Sequence, residues 1–417
     1  MNLENTLAYA TQADKADALA SFRQKFAIPR KNGKDVIYFC GNSLGLMPRH
    51  ATEYVNGFLH DWQTLGVAGH VHGSPPWVDY HMTVRDASAH LIGAMPEEVI
   101  IMNALTVNLH LMLVSFYRPE GKRRKILMEG GAFPSDRYAV ESQIKWHGGN
   151  PETDLVEIFP REGEFTHRTE DILARIETEG DELATILFAG INYYTGQVFD
   201  MEAITRAGHA AGATVGFDLA HAAGNIPVKM HDWGVDFAVW CTYKYLNAGP
   251  GAIAGAFVHE KYAQMFDLPR LTGWFSNRLP TRFLMRPELE LTPGAEGWMI
   301  SNVPILSMIP LRASLEIFNE AGWQHLNAKS KALTSYLEFV IREIQHPDLQ
   351  IITPPLERGA QLSLYIPSGG KAVYQKLSEA GVVADWREPA VIRIAPVPLY
   401  NTFTDVYYFG QILKEAL

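Results

Sequence analysis

Between positions 99 and 258 the chain alternates two hydrophobic patterns. Short runs that are mostly apolar, at 99–102, 125–129, 154–159, 184–189, 213–218 and 235–246, are separated by stretches whose apolar residues recur at helical spacing, at 107–117, 139–146, 168–178 and 201–211. A strand apolar on both faces is one that lies in a covered sheet. Strand and helix in alternation therefore predict an α/β fold with a mostly parallel sheet of about seven strands and helices on both faces. A further strand is expected at 252–258.

The pattern changes on either side of this block. Residues 5–26 read as a surface helix ended by Ile28-Pro29, followed by a short strand at 36–39 and a glycine-rich turn, Gly41-Asn42-Ser43-Leu44-Gly45. Helices at 50–65 and 80–95 flank a loop that holds His70, His72 and Trp77. From Val303 onward, a helical region at 305–345 with a break near Gly322 precedes strands at 350–352, 361–365 and 390–394 and helices at 371–380 and 402–417. This arrangement predicts a smaller α+β domain. The expected division is an N-terminal segment, 1–50, that packs with the small domain, a large domain, 51–302, and the small domain, 303–417.

Composition narrows the function classes. The 417 residues are 47% hydrophobic and carry a net charge of −10, and the longest basic run is Lys122-Arg123-Arg124-Lys125. An acidic chain repels phosphate backbones, so no nucleic-acid partner is expected. Two cysteines, Cys40 and Cys241, make neither a disulfide framework nor a thiolate metal site. The start of the chain lacks a secretory pattern and no run is long and apolar enough for a membrane span, which leads to the expectation of a cytoplasmic protein without a membrane partner. His70 and His72 have no acidic or cysteine neighbour at ligand spacing, so no metal is expected. The Gly41–Pro48 turn lacks the Gly-Lys-Ser/Thr ending of a P-loop, and Gly249-Pro250-Gly251 leads into a strand with the wrong spacing for a dinucleotide fingerprint.

Two strand ends carry candidate chemistry. The apolar run from Val235 delivers Lys244 to a glycine-rich turn, and the run from Ala213 ends in Asp218. A lysine at the edge of a buried site forms imines with carbonyls, among them the aldehyde of pyridoxal phosphate (PLP), and an aspartate keeps the cofactor's pyridine nitrogen protonated. A solvated strand-end lysine and a capping aspartate are the structural alternatives; the pair together favours the cofactor. Thr106 stands where an N-cap would open a helix, a natural phosphate site. Arg393 lies in an apolar strand and calls for an anion, either a substrate carboxylate or a structural Asp or Glu.

An ordered set of motifs then becomes recognisable. Asn103-Ala104-Leu105-Thr106-Val107-Asn108-Leu109-His110, Phe133-Pro134-Ser135-Asp136, Tyr193-Tyr194-Thr195-Gly196-Gln197, Asp218-Leu219-Ala220-His221-Ala222-Ala223-Gly224, Tyr243-Lys244-Tyr245-Leu246-Asn247, Gly273-Trp274-Phe275 and Arg393-Ile394-Ala395-Pro396 together resemble the kynureninase family, PLP enzymes of fold-type I in the subfamily of the cysteine desulfurases. The resemblance runs from Gly41 almost to the C-terminus. It implies hydrolytic cleavage of the Cβ–Cγ bond of L-kynurenine, and of its 3-hydroxy form, to the anthranilate and L-alanine in tryptophan degradation.

The resemblance also assigns residues. Lys244 would hold PLP and move the proton lost from the substrate α-carbon, with Tyr243 assisting and reaching the phosphate. Asp218 would pair with the pyridine nitrogen with Asp136 nearby, Phe133 would stack on the ring beside Pro134 and Ser135, and His221 would complete the shell. Leu105 and Thr106 would present a helix N-terminus to the phosphate. Trp274 and Asn302 would come from a partner subunit, which implies a homodimer with shared sites. Arg393 would bind the substrate α-carboxylate, while His70, Ser301 and Asn302, with Phe275, would line the aryl pocket. A desulfurase or selenocysteine lyase would need a nucleophilic cysteine late in the chain, where neither Cys40 nor Cys241 lies. A silent homologue that keeps only the fold is disfavoured by Lys244, Asp218 and Arg393 together.

Overall fold

The computed structural model describes residues 3–417. Its centre is a seven-stranded sheet in the order Val99–Met102, Ala254–Val258, Phe237–Trp240, Thr214–Asp218, Leu183–Ala189, Lys125–Glu129 and Leu155–Ile158. All strands run parallel except Ala254–Val258, which is antiparallel to both neighbours. No helix separates it from Phe237–Trp240, so the chain returns in the opposite direction. Every residue of those two strands is buried, as expected for a sheet covered on both faces. Large side chains fit over small ones: a Cβ on Gly255 would lie 2.2 Å from the Trp240 ring and one on Gly216 2.1 Å from the Phe237 ring. Phe237 in turn stacks on Phe116 at 5.0 Å.

Three expectations are corrected. The helix expected over 5–26 ends at Ala16 and gives way to a 3-10 turn, Ala20–Lys25. The cause is Asp17, whose carboxylate pairs with buried Lys329 at 2.6 Å and accepts the Leu19 N–H at 2.9 Å, drawing the chain out of the helix. The strand expected over 235–246 ends at Trp240. Beyond it, the Ala248 N–H bonds to the Thr242 carbonyl and the Gly45 N–H to the Tyr243 carbonyl, so the backbone around Lys244 serves a turn instead of the ladder. The 252–258 strand begins at Ala254.

The later part of the chain follows the expected order. Helices Ile305–Ala321 and Trp323–Arg342 meet at Gly322, which sits at φ 76°, a left-handed conformation that glycine adopts without strain. A four-stranded antiparallel sheet runs Gln350–Ile351, Leu362–Tyr365, Val391–Ile394, Asp385–Arg387; the last strand was not foreseen. Ala10 and Phe39 from the N-terminal region are buried in the same hydrophobic cluster as Leu337, Leu364, Ile392 and Phe409. Ile37–Tyr38 also pairs in parallel with Val382–Val383.

Candidate active site

A cleft of about 540 Å³ opens at the carboxyl ends of the parallel strands, where α/β sheets place their ligands. Asp218 is the last residue of its strand, lines the cleft, and accepts the Ala220 N–H on Oδ1 at 2.7 Å. Lys244 reaches the same cleft from the turn after Trp240. That turn is held from behind by the glycine-rich loop: a Cβ on Gly45 would lie 2.3 Å from Asn247 Oδ1 and 2.4 Å from the Lys244 carbonyl, so only glycine permits the approach.

Lys244 Nζ lies 2.9 Å from His221 Nε2 and 5.9 Å from the centre of the Phe133 ring. Burial, and then the nearby Lys244 charge, hold the His221 imidazole well below its usual basicity, so it is neutral. An ammonium has only donors, so Nε2 accepts and the imidazole proton sits on Nδ1, an atom without a protein partner. Asp136 and Asp218 both line the cleft and both are raised, chiefly by burial; the neighbouring Asp218 adds to the rise at Asp136, and Lys244 counters it at both. Asp136 Oδ1 also lacks a partner. Burial pushes the Tyr243 phenol far above neutrality, so it remains a donor.

Two helices begin at the cleft wall. Leu105–Phe116 has Ala104 as its N-cap with no side-chain cap, which corrects the expectation for Thr106. Thr106 is instead inside the first turn, and its hydroxyl meets the Ser135 hydroxyl at 3.0 Å. Ser135 lies in the first turn of Pro134–Trp146, where Pro134 is accommodated because a first-turn N–H has no helical acceptor. Leu105, Thr106, Ser135, Phe133 and Tyr243 line the cleft, so an anion there meets hydroxyls and the positive ends of two helices.

The other expected residues lie elsewhere in this chain. Arg393 is 1% exposed but is not in the cleft wall. It donates to the Tyr193 carbonyl at 2.7 Å and to Ser43 Oγ at 3.2 Å, and forms an ion pair with Asp385, its cross-strand neighbour. His70, Ser301 and Asn302 are exposed and away from Lys244. Trp274 is 45% exposed and packs edge-on against buried Phe275 and against Phe283.

Comparison with known proteins decides the relationship. The chain is 51% identical to the kynureninase of Christiangramia forsetii, over 100% of this chain and 99% of that one. It is 52% identical to those of Koribacter versatilis and Myxococcus xanthus, over 98% and 99% of this chain and 97% of each relative. The chain belongs to the kynureninase family. Residues 326–413 also match the model of the kynureninase C-terminal domain. Among solved structures, a cysteine desulfurase from Escherichia coli superposes with a TM-score of 0.77 at 15% identity, over 95% of this chain and 98% of that one. A mutant of C-DES with glycine linked to its PLP cofactor superposes at 0.75 and 16%, over 91% and 96%. The chain thus has the α/β fold of these PLP-dependent enzymes.

The cleft fits the PLP of this fold. Its unpartnered Asp136 Oδ1 and His221 Nδ1 are buried polar atoms that a ring nitrogen and hydroxyl would satisfy, and its hydroxyl-lined helix ends suit a phosphate. Reading strands by their apolar runs overlooked Glu129, which ends Lys125–Glu129 as Asp218 ends its own strand and lines the same cleft. The signal was present, an acid closing an apolar run. Tyr193, also in the wall, and Asp385 had no such local mark. Among the described residues, Glu98, His231 and His259 bring ligand-type atoms within 4.8 Å, but the Glu98 oxygens already accept the Met95 and Glu260 N–H groups and pair with His231.

Proposed function

We propose that this chain hydrolyses the Cβ–Cγ bond of L-kynurenine to anthranilate and L-alanine, using PLP held by Lys244. The observation that carries this reading is Lys244 facing Asp218 across one cleft in a chain related to kynureninases over its full length. When bound, the cofactor acts as an electron sink that makes the substrate α-proton acidic and takes up charge as the carbon–carbon bond breaks. Asp218 would pair with the pyridine nitrogen, with Asp136 beside it. Phe133 would cover the ring, while Thr106, Ser135 and the helix ends would hold the phosphate.

Lys244 is then the base that takes the α-proton and returns it, and neutral His221 accepts the hydrogen bond that keeps its Nζ in place. Tyr243, a protonated phenol, is a donor and not a base. Arg393 would receive the α-carboxylate, its orientation set by Asp385 and the Tyr193 carbonyl. Water must add to the γ-carbonyl before cleavage, and the bond then breaks toward the alanine fragment.

The site would be completed by a second copy. Trp274, Phe283 and Met285 are 45%, 55% and 73% exposed, an apolar surface that a homodimer would cover, and exposed Ser301 and Asn302 are available to a neighbouring cleft. Together with His70 they would hydrogen-bond a ring hydroxyl, so 3-hydroxykynurenine is included as a substrate. A kcat/KM for it below about one hundredth of that for kynurenine, roughly 3 kcal/mol, counts against this part. Mixing inactive Lys244→Ala and Asn302→Ala chains tests the sharing: recovery of activity in the mixture supports it, and no recovery by a mixed dimer rejects it.

The main test is an absorption spectrum before and after L-kynurenine, with anthranilate fluorescence in the same cuvette. A visible cofactor band perturbed by substrate, with anthranilate from the unmutated chain and none from Lys244→Ala, is the expected result. A band without anthranilate rejects the substrate, and no band after incubation with PLP rejects the cofactor.

A further inference from the structure

Three carboxyl groups, Glu129, Asp136 and Asp218, line the cleft, and they are 2%, 4% and 7% exposed. Among the described residues, none of the three has a lysine, arginine or histidine within ion-pair distance, and the cleft wall holds one cation, Lys244. Asp136 and Asp218 have the roles already proposed. Glu129 has none. Its two oxygens share a single donor, the Ala189 N–H, at 3.2 and 3.3 Å. Ala189 is the register partner of Asp218 in the neighbouring strand, so Glu129 is fixed behind the aspartate pair by the sheet itself.

We propose that Glu129 is a further positioning residue of this site, acting through Asp136 and Asp218 to set how much negative charge faces the pyridine nitrogen. Three buried unpaired carboxylates beside one ammonium cannot all be ionised, because each added charge is desolvated and repels the others. Glu129 has only the Ala189 N–H and Asp136 Oδ1 has no partner, so neither is stabilised as an anion in the way Asp218 is by the Ala220 N–H. Burial raises Glu129 from 4.5 to about 8, with Asp218 adding to the rise and the Ala189 N–H opposing it. Near neutrality it therefore carries a proton and leaves the aspartates to balance the cofactor; on the alkaline side it adds a negative charge behind them. The titratable and charged groups that face it are Asp136 on the adjoining helix, Asp218 two strands away across Leu183–Ala189, and Lys244 and neutral His221 across the cleft.

The inference rests on PLP occupying this cleft, and Glu129→Gln tests it with two readouts. Glutamine keeps the size of the side chain and an acceptor for Ala189, and removes only the titration. The first readout is thermal unfolding of the cofactor-free chain between pH 5 and 9. A folded-state value above the unfolded one means that stability is lost as pH rises from about 4.5 through about 8, and the variant should lack that part of the loss. A profile parallel to that of the unmutated chain overturns the proposal. The second readout is the pH midpoint of the visible band of bound PLP. Removing a nearby anion should move it about half a unit or more to lower pH. An unchanged midpoint with an altered stability profile makes Glu129 structural only and overturns the positioning role. Where Glu129→Gln does not fold, Glu129→Asp takes its place, and a midpoint identical to that of the unmutated protein is again decisive against it. No band in the unmutated protein overturns the PLP reading itself, an outcome the cofactor-free unfolding profile keeps separate.

Discussion

The cleft around Lys244 and the cluster around Arg393 both bury charge, and they do so in opposite ways. Asp136 and Asp218 lack a basic ion-pair partner and are both raised by burial, and atoms such as Asp136 Oδ1 are left without any hydrogen bond. Arg393 is equally buried but is matched inside the chain by Asp385, a carbonyl and a hydroxyl. A buried charge without a partner costs stability and persists where a ligand completes it. A buried pair already has its partner, so a ligand can only add to it or displace it. The first region is thus left open for a resident cofactor, whereas the second is already satisfied within the chain.

Breaking the first region should have the largest effect. Lys244→Ala should lower kcat by at least about 1,000-fold, within the range for losing a positioned base, and abolish the visible band, measured by anthranilate release and absorption. Asp218→Asn should follow, at about 100-fold in kcat with the protein still folded; an effect below threefold would remove the asymmetry with Asp136. The second region should respond in KM. Arg393→Lys loses the two-pronged geometry and should raise KM about 10-fold with little change in kcat, and Asp385→Asn, which only orients the arginine, should raise it less. Gly45→Ala, where a Cβ meets Asn247 and the Lys244 carbonyl, should cost about 1–3 kcal/mol in urea unfolding. Finally, Cys40, beside Asp385 and Arg393, is pushed up to about 11 by burial and then by Asp385. Its alkylation at pH 8 should be about 100-fold slower than that of a free thiol, followed by mass spectrometry.

Much of this was legible along the chain because it is local. Apolar runs in alternation with helical spacing located the strands of the central sheet, and Asp218 and Lys244 stood out as polar residues closing such runs. The failures were mostly long-range in origin. Asp17 ended a helix early because of Lys329, more than three hundred residues away, and the Lys244 strand stopped at Trp240 because the glycine-rich loop took its backbone bonds. Thr106 resembled an N-cap, but the chain turns into the helix two residues sooner, at Ala104.

The sequence by itself determined the element order, the mostly parallel sheet, the Lys–Asp pairing and, through its motifs, the kynureninase family, since each depends on residues near one another or on their order. Only the tertiary structure decided that Asp385 is the partner of Arg393, that Glu129 joins the two aspartates, and that Ser301 and His70 lie outside this chain's own cleft. Those facts depend on how distant strand ends are set side by side. The pairing of buried charges is a long-range property, fixed by sheet order and desolvation, and no local pattern carries it.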